Sequence, residues 1–151
     1  MSLESVRAWF AEHAPDIEVL VTETSSATVA EAADTHKVEP AQIAKTICVR
    51  ADDRVLLIVT SGASRLDNKK FKQVFGTRPR MLGAEEVLAL TSHPVGGVCP
   101  FGLATALPVY CDVSLRPFDF VVPAAGAGNA AVKIETGRLA ALTRAQWVEV
   151  C

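Results

Sequence analysis

The sequence predicts a single α/β domain in which short helices pack around a mixed, mostly antiparallel sheet. Three observations support this fold class. The chain has 151 residues, 50% hydrophobic and 21% charged, a composition typical of one globular domain with a substantial core. Runs rich in β-branched residues alternate with segments of helical periodicity. Several of these runs follow one another through short turns, which favours antiparallel pairing.

The N-terminal half is predicted to hold a hairpin flanked by helices. Leu3, Val6 and Phe10 recur at the spacing of one helix face, and Ala14-Pro15 ends that helix. The strands 46–50 and 54–60 are separated only by Ala51-Asp52-Asp53, which indicates a hairpin. The other predicted elements are a strand at 17–23, a helix over 28–35 capped by Ser26, a helical turn beginning at Pro40, and a helix capped by Asp67 that ends at Gly76.

The C-terminal half is predicted to add more strands and two helices. The strands are expected at 107–113, 118–122, 130–135 and 146–150, and the helices at 84–90 and 136–142. The glycines at 126–128 lie between two strands and open no helix, and no G-x-G-x-x-G follows a strand. A Rossmann dinucleotide site and a P-loop are therefore not predicted.

The cysteines and histidines show no metal-binding spacing. No C-x-x-C pair occurs, and His13, His36 and His93 are not placed to complete a zinc site. We predict no metal and no cofactor. Cys48 and Cys111 lie in strand-like runs, so the simplest interpretation is that they are small core residues.

Hydropathy predicts a cytoplasmic protein with no membrane partner. Apolar runs such as 55–59 are far shorter than the roughly 20 residues of a membrane helix. Charged residues interrupt the first 13 positions, which is unlike a signal peptide.

The stretch HPVGGVCPFGL (93–103) is the first candidate functional segment. Two adjacent glycines, a cysteine and a proline interrupt apolar sequence, which indicates a backbone loop that another group approaches closely. Lys45 is the second candidate, because it lies where a short helix meets a strand. Two interpretations of this lysine stay open: its ammonium reaches solvent along an apolar stem, or it is a fixed cation for a carbonyl oxygen, carboxylate or phosphate.

Charge is unevenly distributed along a chain whose formal net charge is −2. Residues 65–80 contain six basic side chains against Asp67 alone, a pattern suited to phosphate contacts or to a solvated helix face. The basic residues are Arg65, Lys69, Lys70, Lys72, Arg78 and Arg80. The three lysines are expected to point outwards from the predicted helix.

The order of these segments resembles the YbaK-like family of free-standing aminoacyl-tRNA editing deacylases, which is related to the editing domain inserted in bacterial prolyl-tRNA synthetases. The resemblance extends from about Thr24 to the C-terminus. Its motifs, in order, are AKT (44–46), SGASRLDNKKF (61–71), LGAEEVLALT (82–91), GGVCPFG (96–102), PVYCDVSL (108–115), a glycine-rich turn and LAALTRAQWVEVC (139–151).

The resemblance implies a compact domain with a curved mixed sheet that hydrolyses the ester of a mischarged aminoacyl-tRNA. The expected partners are aminoacyl-tRNA and an aminoacyl-tRNA synthetase, with no DNA. The relationship to prolyl-tRNA synthetases implies tRNA of the proline type. Lys45 corresponds to the family's essential lysine. The loop Gly96, Gly97, Val98 and Cys99 would bind an oxyanion through backbone N–H groups, with Pro100 stiffening its end. Thr46, Ser61, Gly62, Pro100 and Asn129 would contact the substrate, and Lys69, Lys70 and Lys72 the tRNA.

One departure and two alternatives qualify this expectation. Many relatives have a serine among the glycines before the penultimate strand, whereas this chain reads AAGAGN (124–129), so specificity for cysteinyl-tRNA is not carried over. Asn129 is the predicted replacement contact. The first alternative is a hydrolase with Cys99 as nucleophile and His93 as base. The second is a non-catalytic module that binds tRNA ends or a synthetase.

Overall fold

The computed structural model describes residues 2–151 and has the predicted α/β class. Its helices are α1 (Ser2–His13), α2 (Val29–His36), α3 (Asn68–Phe75), α4 (Ala84–Thr91) and α5 (Thr136–Thr143), with 3-10 turns at Pro40–Gln42 and Val113–Leu115. Its strands are β1 (Leu20–Val21), β2 (Ile43–Ala51), β3 (Arg54–Ser61), β4 (Arg80–Met81), β5 (Val109–Asp112), β6 (Phe120–Pro123), β7 (Ala130–Ala131), β8 (Ile134–Glu135) and β9 (Gln146–Val148).

The hairpin of β2 and β3 forms the centre of a curled mixed sheet. The two strands pair antiparallel from Ala44↔Ser61 to Ala51↔Arg54, as the sequence predicts. Asp52 adopts a φ of 54° in the two-residue turn, a left-handed conformation that aspartate tolerates better than most residues. The strand order is β8-β6-β2-β3-β5-β9, with β4 also pairing with β2, while β1 and β7 form a separate antiparallel pair.

Consecutive strands joined by a short turn are predicted to pair antiparallel, and this prediction is wrong for β5 and β6, which lie on opposite sides of the central hairpin. β5 runs parallel to β3 and β9 parallel to β5, while β6 runs parallel to β2 on the other side of the hairpin. The Val113–Leu115 turn lies at the end of β3, where the Ser61 amide donates to Ser114 Oγ at 3.1 Å. This turn carries the chain across the end of the hairpin, so the short connection between β5 and β6 joins strands on opposite sides of it.

Apolar clusters cover both faces of the hairpin. Because side chains alternate along a strand, Leu57 and Val59 pack on one face with α1 and α5, and Leu56 and Ile58 pack on the other with Phe71 of α3. All four β3 side chains are buried, which accounts for the continuous apolar run in this strand.

Two helix starts test the capping predictions. Asp67 caps α3, its side chain accepting the amides of Lys69 and Lys70, and Gly76 ends the helix at a φ of 79°; both predictions are confirmed. The prediction of Ser26 as the cap of α2 is wrong. Thr28 accepts the Glu31 amide there, because the helix begins at Val29, immediately after Thr28.

Two predicted strands are shorter than expected. The strand predicted at 17–23 is reduced to β1, and the one at 130–135 is split into β7 and β8 around Val132–Lys133. The chain turns between the two: β7 pairs with β1, while β8 pairs with β6. None of the helices in residues 2–151 has the length and apolar character needed to span a bilayer.

Candidate active site

The candidate site lies at a gap in the sheet, along one edge of β2. β6 pairs with β2 at Ile43 and Ala44, and β4 pairs with it at Val49 and Arg50. On this side, the residues between those two pairings have no neighbouring strand in the described sheet. A cavity of about 340 Å³ opens there, lined by all four intervening residues, 45–48.

The cavity wall is mainly apolar and rich in small side chains. Beyond β2, it is formed by the segment before α2, by β4 and α4, by the glycine loop, and by β6 and β7. The wall residues from these elements include Ser26, Ala27, Thr28, Val29, Ala32, Met81, Leu82, Ala84, Val87, Val95, Gly96, Val98, Val122, Ala124 and Ala131. Met81 and Val95 are 70% and 74% exposed, so they form an apolar rim at the mouth. Such a wall favours a small apolar group inside the cavity.

Lys45 borders the cavity and is half-buried. Its Nζ donates to the Ser64 carbonyl at 2.7 Å, which uses one of the three donors of an ammonium group. Burial lowers the pKa of Lys45, and the neighbouring Arg65 charge lowers it further while Cys151 opposes the change. Lys45 is thus held by a backbone carbonyl beside the cavity, with two donors left for another group.

The glycine loop packs closely against the turn at 126–128. A Cβ added at Gly97 would lie 2.5 Å from the Ala127 nitrogen, and Gly97 carbonyl accepts the Gly126 amide at 2.9 Å. The Gly97 amide itself donates to the Pro94 carbonyl. Among residues 2–151, the amides of Gly96 and Val98 donate to no other protein group. Gly96 and Val98 line the cavity, so they are the loop residues that combine an unpaired amide with a position at the cavity wall.

Cys99 and His93 lie in the core behind the loop. Both are fully buried, and their Sγ and Nε2 atoms are 3.5 Å apart. His93 Nε2 donates to the Phe101 carbonyl at 2.7 Å, so it carries a proton and cannot act as a base toward the thiol. Burial raises the pKa of Cys99 to about 12. This geometry argues against the cysteine-nucleophile alternative.

Several residues predicted to contact substrate form hydrogen bonds within the protein or lie in its core. Ser61 Oγ donates to the Ala41 carbonyl at 2.6 Å, and the Gly62 amide donates to the Ile43 carbonyl at 2.7 Å, so both secure the start of β2. Asn129 Nδ2 donates to the Thr22 carbonyl at 3.0 Å, and Pro100 is buried behind the loop. None of these four is among the described residues that line the cavity, so their contact with substrate stays a prediction.

The basic helix divides its lysines between two roles. Lys69 and Lys72 are exposed on α3, as predicted. Lys70 is half-buried and donates to the Cys151 carbonyl at 2.7 Å, so the prediction that it points outwards is wrong. The basic segment continues to Arg80 in β4, directly before the rim residue Met81. Arg80 is exposed, so one basic side chain of this segment lies next in the chain to the rim of the cavity.

The sequence reasoning missed most of the cavity wall. The segment 26–29 carries no chemical motif, because its serine and threonine are accounted for as helix-cap candidates and its alanine and valine are ordinary core residues. Met81 is likewise a residue type common in cores. The signal that could have found one of them is Gly96, at a φ of 90°, where an added Cβ would lie 2.8 Å from Ala27 Cβ. A glycine in this conformation indicates a close neighbour, but the sequence does not say which one.

Comparison with known proteins identifies the family. The model of the aminoacyl-tRNA editing domain matches residues 23–142, and the chain belongs to this family. The predicted resemblance is thereby confirmed. The fold is that of an aminoacyl-tRNA editing domain.

Individual relatives agree with this assignment. "Uncharacterized protein YwhH" of Bacillus subtilis (strain 168) is 46% identical over 153 residues, which cover 100% of this chain and 98% of that protein. The proline--tRNA ligase of Solidesulfovibrio magneticus is 36% identical over 114 residues, covering 74% of this chain but only 20% of the ligase. A solved structure, "Crystal structure of a putative trans-editing enzyme for prolyl tRNA synthetase", superposes with a TM-score of 0.92 at 31% identity, covering 99% and 96% of the two chains.

Proposed function

We propose that this protein hydrolyses the ester bond of a mischarged aminoacyl-tRNA, acting in trans on tRNA of the proline type. The observation that carries the proposal is the small apolar cavity on the open edge of β2, bordered by a half-buried lysine and by two unpaired loop amides. The similarity to proline--tRNA ligases and to a structure described as a trans-editing enzyme supports the choice of tRNA.

The reaction needs positioning more than a strong nucleophile. A water molecule, positioned by the neighbouring ribose hydroxyl, attacks the ester carbonyl. The carbon–oxygen bond to the terminal ribose then breaks, the ribose oxygen takes up the proton that the water loses, and the free amino acid is released. Loop amides such as those of Gly96 and Val98 would stabilise the negative charge on the carbonyl oxygen. Lys45 would orient the ester or the terminal phosphate with its remaining donors. Cys48 in the wall has a pKa raised by burial, so it stays a neutral thiol.

The surface around the cavity suits the end of a tRNA. Met81 and Val95 would pack against the terminal nucleoside, because both are exposed apolar side chains at the mouth. Exposed Lys69 and Lys72 would contact backbone phosphates, an interaction that carries no sequence information. The amino acid side chain would enter the apolar wall and be selected by size.

A deacylation assay on tRNA(Pro) charged with alanine, serine or cysteine tests this proposal. We expect the wild-type protein to accelerate hydrolysis of at least one ester, and Lys45→Ala to lower kcat/KM by roughly 100-fold or more with an unchanged circular dichroism spectrum. Lys133→Ala is the matched control, because Lys133 is exposed and is not a cavity residue. Binding of the charged tRNA without hydrolysis would instead favour a non-catalytic module, and full activity in Lys45→Ala would remove Lys45 from the mechanism.

A further inference from the structure

Thr46 carries three polar groups that have no partner among residues 2–151. Its hydroxyl Oγ1 is buried and makes no hydrogen bond. Its backbone N–H and C=O also make no hydrogen bond to the loops and turns of the described chain. Buried polar groups in native proteins are nearly always paired, so the unpaired buried hydroxyl of this cavity-wall residue requires an explanation.

The register of β2 shows which way the backbone groups point. The Gly62 amide donates to the Ile43 carbonyl, so Ile43 and every second residue after it direct their backbone groups toward β3. Thr46 falls in the alternate set, which points away from β3. The neighbours on that side, β6 and β4, pair with β2 only at 43–44 and 49–50. The N–H and C=O of Thr46 therefore face the gap occupied by the cavity.

We infer that Thr46 recognises the α-amino acid part of the substrate by pairing with it as one added strand residue. The α-amino group donates to the Thr46 carbonyl, and the ester carbonyl accepts the Thr46 N–H, as in a hydrogen-bonded antiparallel pair. The Thr46 hydroxyl accepts a further N–H of the amino group. This inference rests on the proposed deacylase function and adds the contact that selects an α-amino acid ester over other acyl esters.

The position of the cavity agrees with this pairing. Side chains of directly opposed residues project to the same face of a sheet. Because side chains alternate along a strand, Thr46 projects to the same face of β2 as Ala44 and Cys48. On that face, Val87 and Val98 pack with the core cluster and also line the cavity. A paired aminoacyl group would place its side chain among these apolar residues. β6 and β4 limit the open edge, so a longer peptide strand has no room to add.

The first test compares alanyl-tRNA with propionyl-tRNA, which keeps the ester and the methyl group but lacks the amino group. Each enzymatic rate is divided by the spontaneous hydrolysis rate of the same ester, because the amino group alters intrinsic reactivity. We expect kcat/KM of the wild-type protein to be roughly 10- to 100-fold lower for the propionyl ester, the effect of losing a hydrogen bond to a charged group. Equal normalised rates would overturn the pairing, whereas hydrolysis of neither ester would overturn the proposed function itself.

The second test separates recognition from a structural role of the hydroxyl. Thr46→Val removes the hydroxyl but keeps the shape and the backbone groups. We expect it to lower kcat/KM for alanyl-tRNA about 10-fold and to narrow the alanyl-to-propionyl ratio, while Thr46→Ser restores both. The melting temperature of Thr46→Val should be unchanged or up to about 4 °C higher, because an unsatisfied buried group is removed. A parallel loss of stability and activity, without a change in the ratio, would overturn the assignment.

Discussion

Replacement of Gly97 by alanine tests how the glycine loop is held beside the cavity. An added Cβ would lie 2.5 Å from the Ala127 nitrogen and 2.6 Å from the Gly126 carbonyl carbon. Both are backbone atoms, so no flexible side chain can move aside. The two loops must separate by a large fraction of an ångström, which strains the hydrogen bond from the Gly126 amide to the Gly97 carbonyl.

The expected cost follows from this overlap. Overpacking of a tight contact typically destabilises a protein by about 1–3 kcal/mol. In a domain of this size, 1 kcal/mol corresponds to roughly 2–4 °C in Tm, so Gly97→Ala should lower Tm by roughly 2–12 °C. Deacylation of charged tRNA should also slow, because the displaced loop carries Gly96 and Val98, which line the cavity.

Gly137→Ala is the matched control for this prediction. Gly137 lies in α5, and an added Cβ there meets no atom within 4 Å. The same substitution should therefore stabilise the protein by about 0.5–1 kcal/mol, through the higher helix propensity of alanine. Thermal unfolding and urea unfolding measure both variants. A Gly97→Ala protein with wild-type Tm would refute the argument that contact between the two loops requires glycine.

Three further predictions address charge, the buried thiol and protonation. The double replacement of Lys69 and Lys72 by alanine should weaken tRNA binding and lower the slope of log Kd against log salt concentration by about 0.7–0.9 per lost contact, measured by filter binding. Lys70→Ala should mainly reduce thermal stability, because the Lys70 ammonium is bound to the Cys151 carbonyl. A double variant with the wild-type slope would mean that tRNA docks elsewhere. Cys99→Ala should retain deacylation activity. In the wild-type protein, iodoacetamide at neutral pH should label Cys99 only after unfolding, because burial raises the pKa of this thiol to about 12. An acyl-thioester trapped on Cys99 would contradict a non-nucleophilic role for this residue. Burial lowers the pKa of Lys45 from 10.5, so between the lowered pKa and 10.5 the unfolded chain binds more protons than the folded chain. In that pH interval, the stability of the wild-type protein relative to Lys45→Met should therefore rise with pH, as measured by urea unfolding. A pH-independent difference would show that Lys45 titrates normally in the fold.

Local features of the fold are well predicted because their causes are local. Asp67 and Gly76 mark the ends of α3, since a carboxylate satisfies the free amides at a helix start and glycine adopts the left-handed conformation at its end. The Ala51–Arg54 turn likewise depends on two neighbouring strands and the residues between them. Thr28 was missed in favour of Ser26 because both are good caps and only the helix start distinguishes them.

The chemistry of the site was partly visible in the sequence. Lys45, Thr46, Gly96 and Val98 were all predicted and all line the cavity. Lys45 and Gly96 stand out as a cation and a backbone requirement that ordinary packing does not explain, whereas Thr46 and Val98 were predicted from the family resemblance. Ser61 was expected at the substrate, but the structure shows its hydroxyl bound to the Ala41 carbonyl. A serine that supports a turn and one that contacts a ligand look the same in sequence, because the difference lies in its distant partner.

The sequence by itself determined the α/β class, the central hairpin and the choice of Lys45 and the glycine loop as candidate site residues. The tertiary structure alone decided that β6 and β4 leave part of β2 uncovered, and that Thr46 faces this gap. The physical reason is that the residues of a strand fix which side chains and backbone groups alternate along it. How much of the strand edge stays unpaired depends on where segments distant in the chain form their hydrogen bonds. Hydrogen-bond partners in a sheet are chosen among segments far apart in the chain, so the cavity exists only once all of them have met.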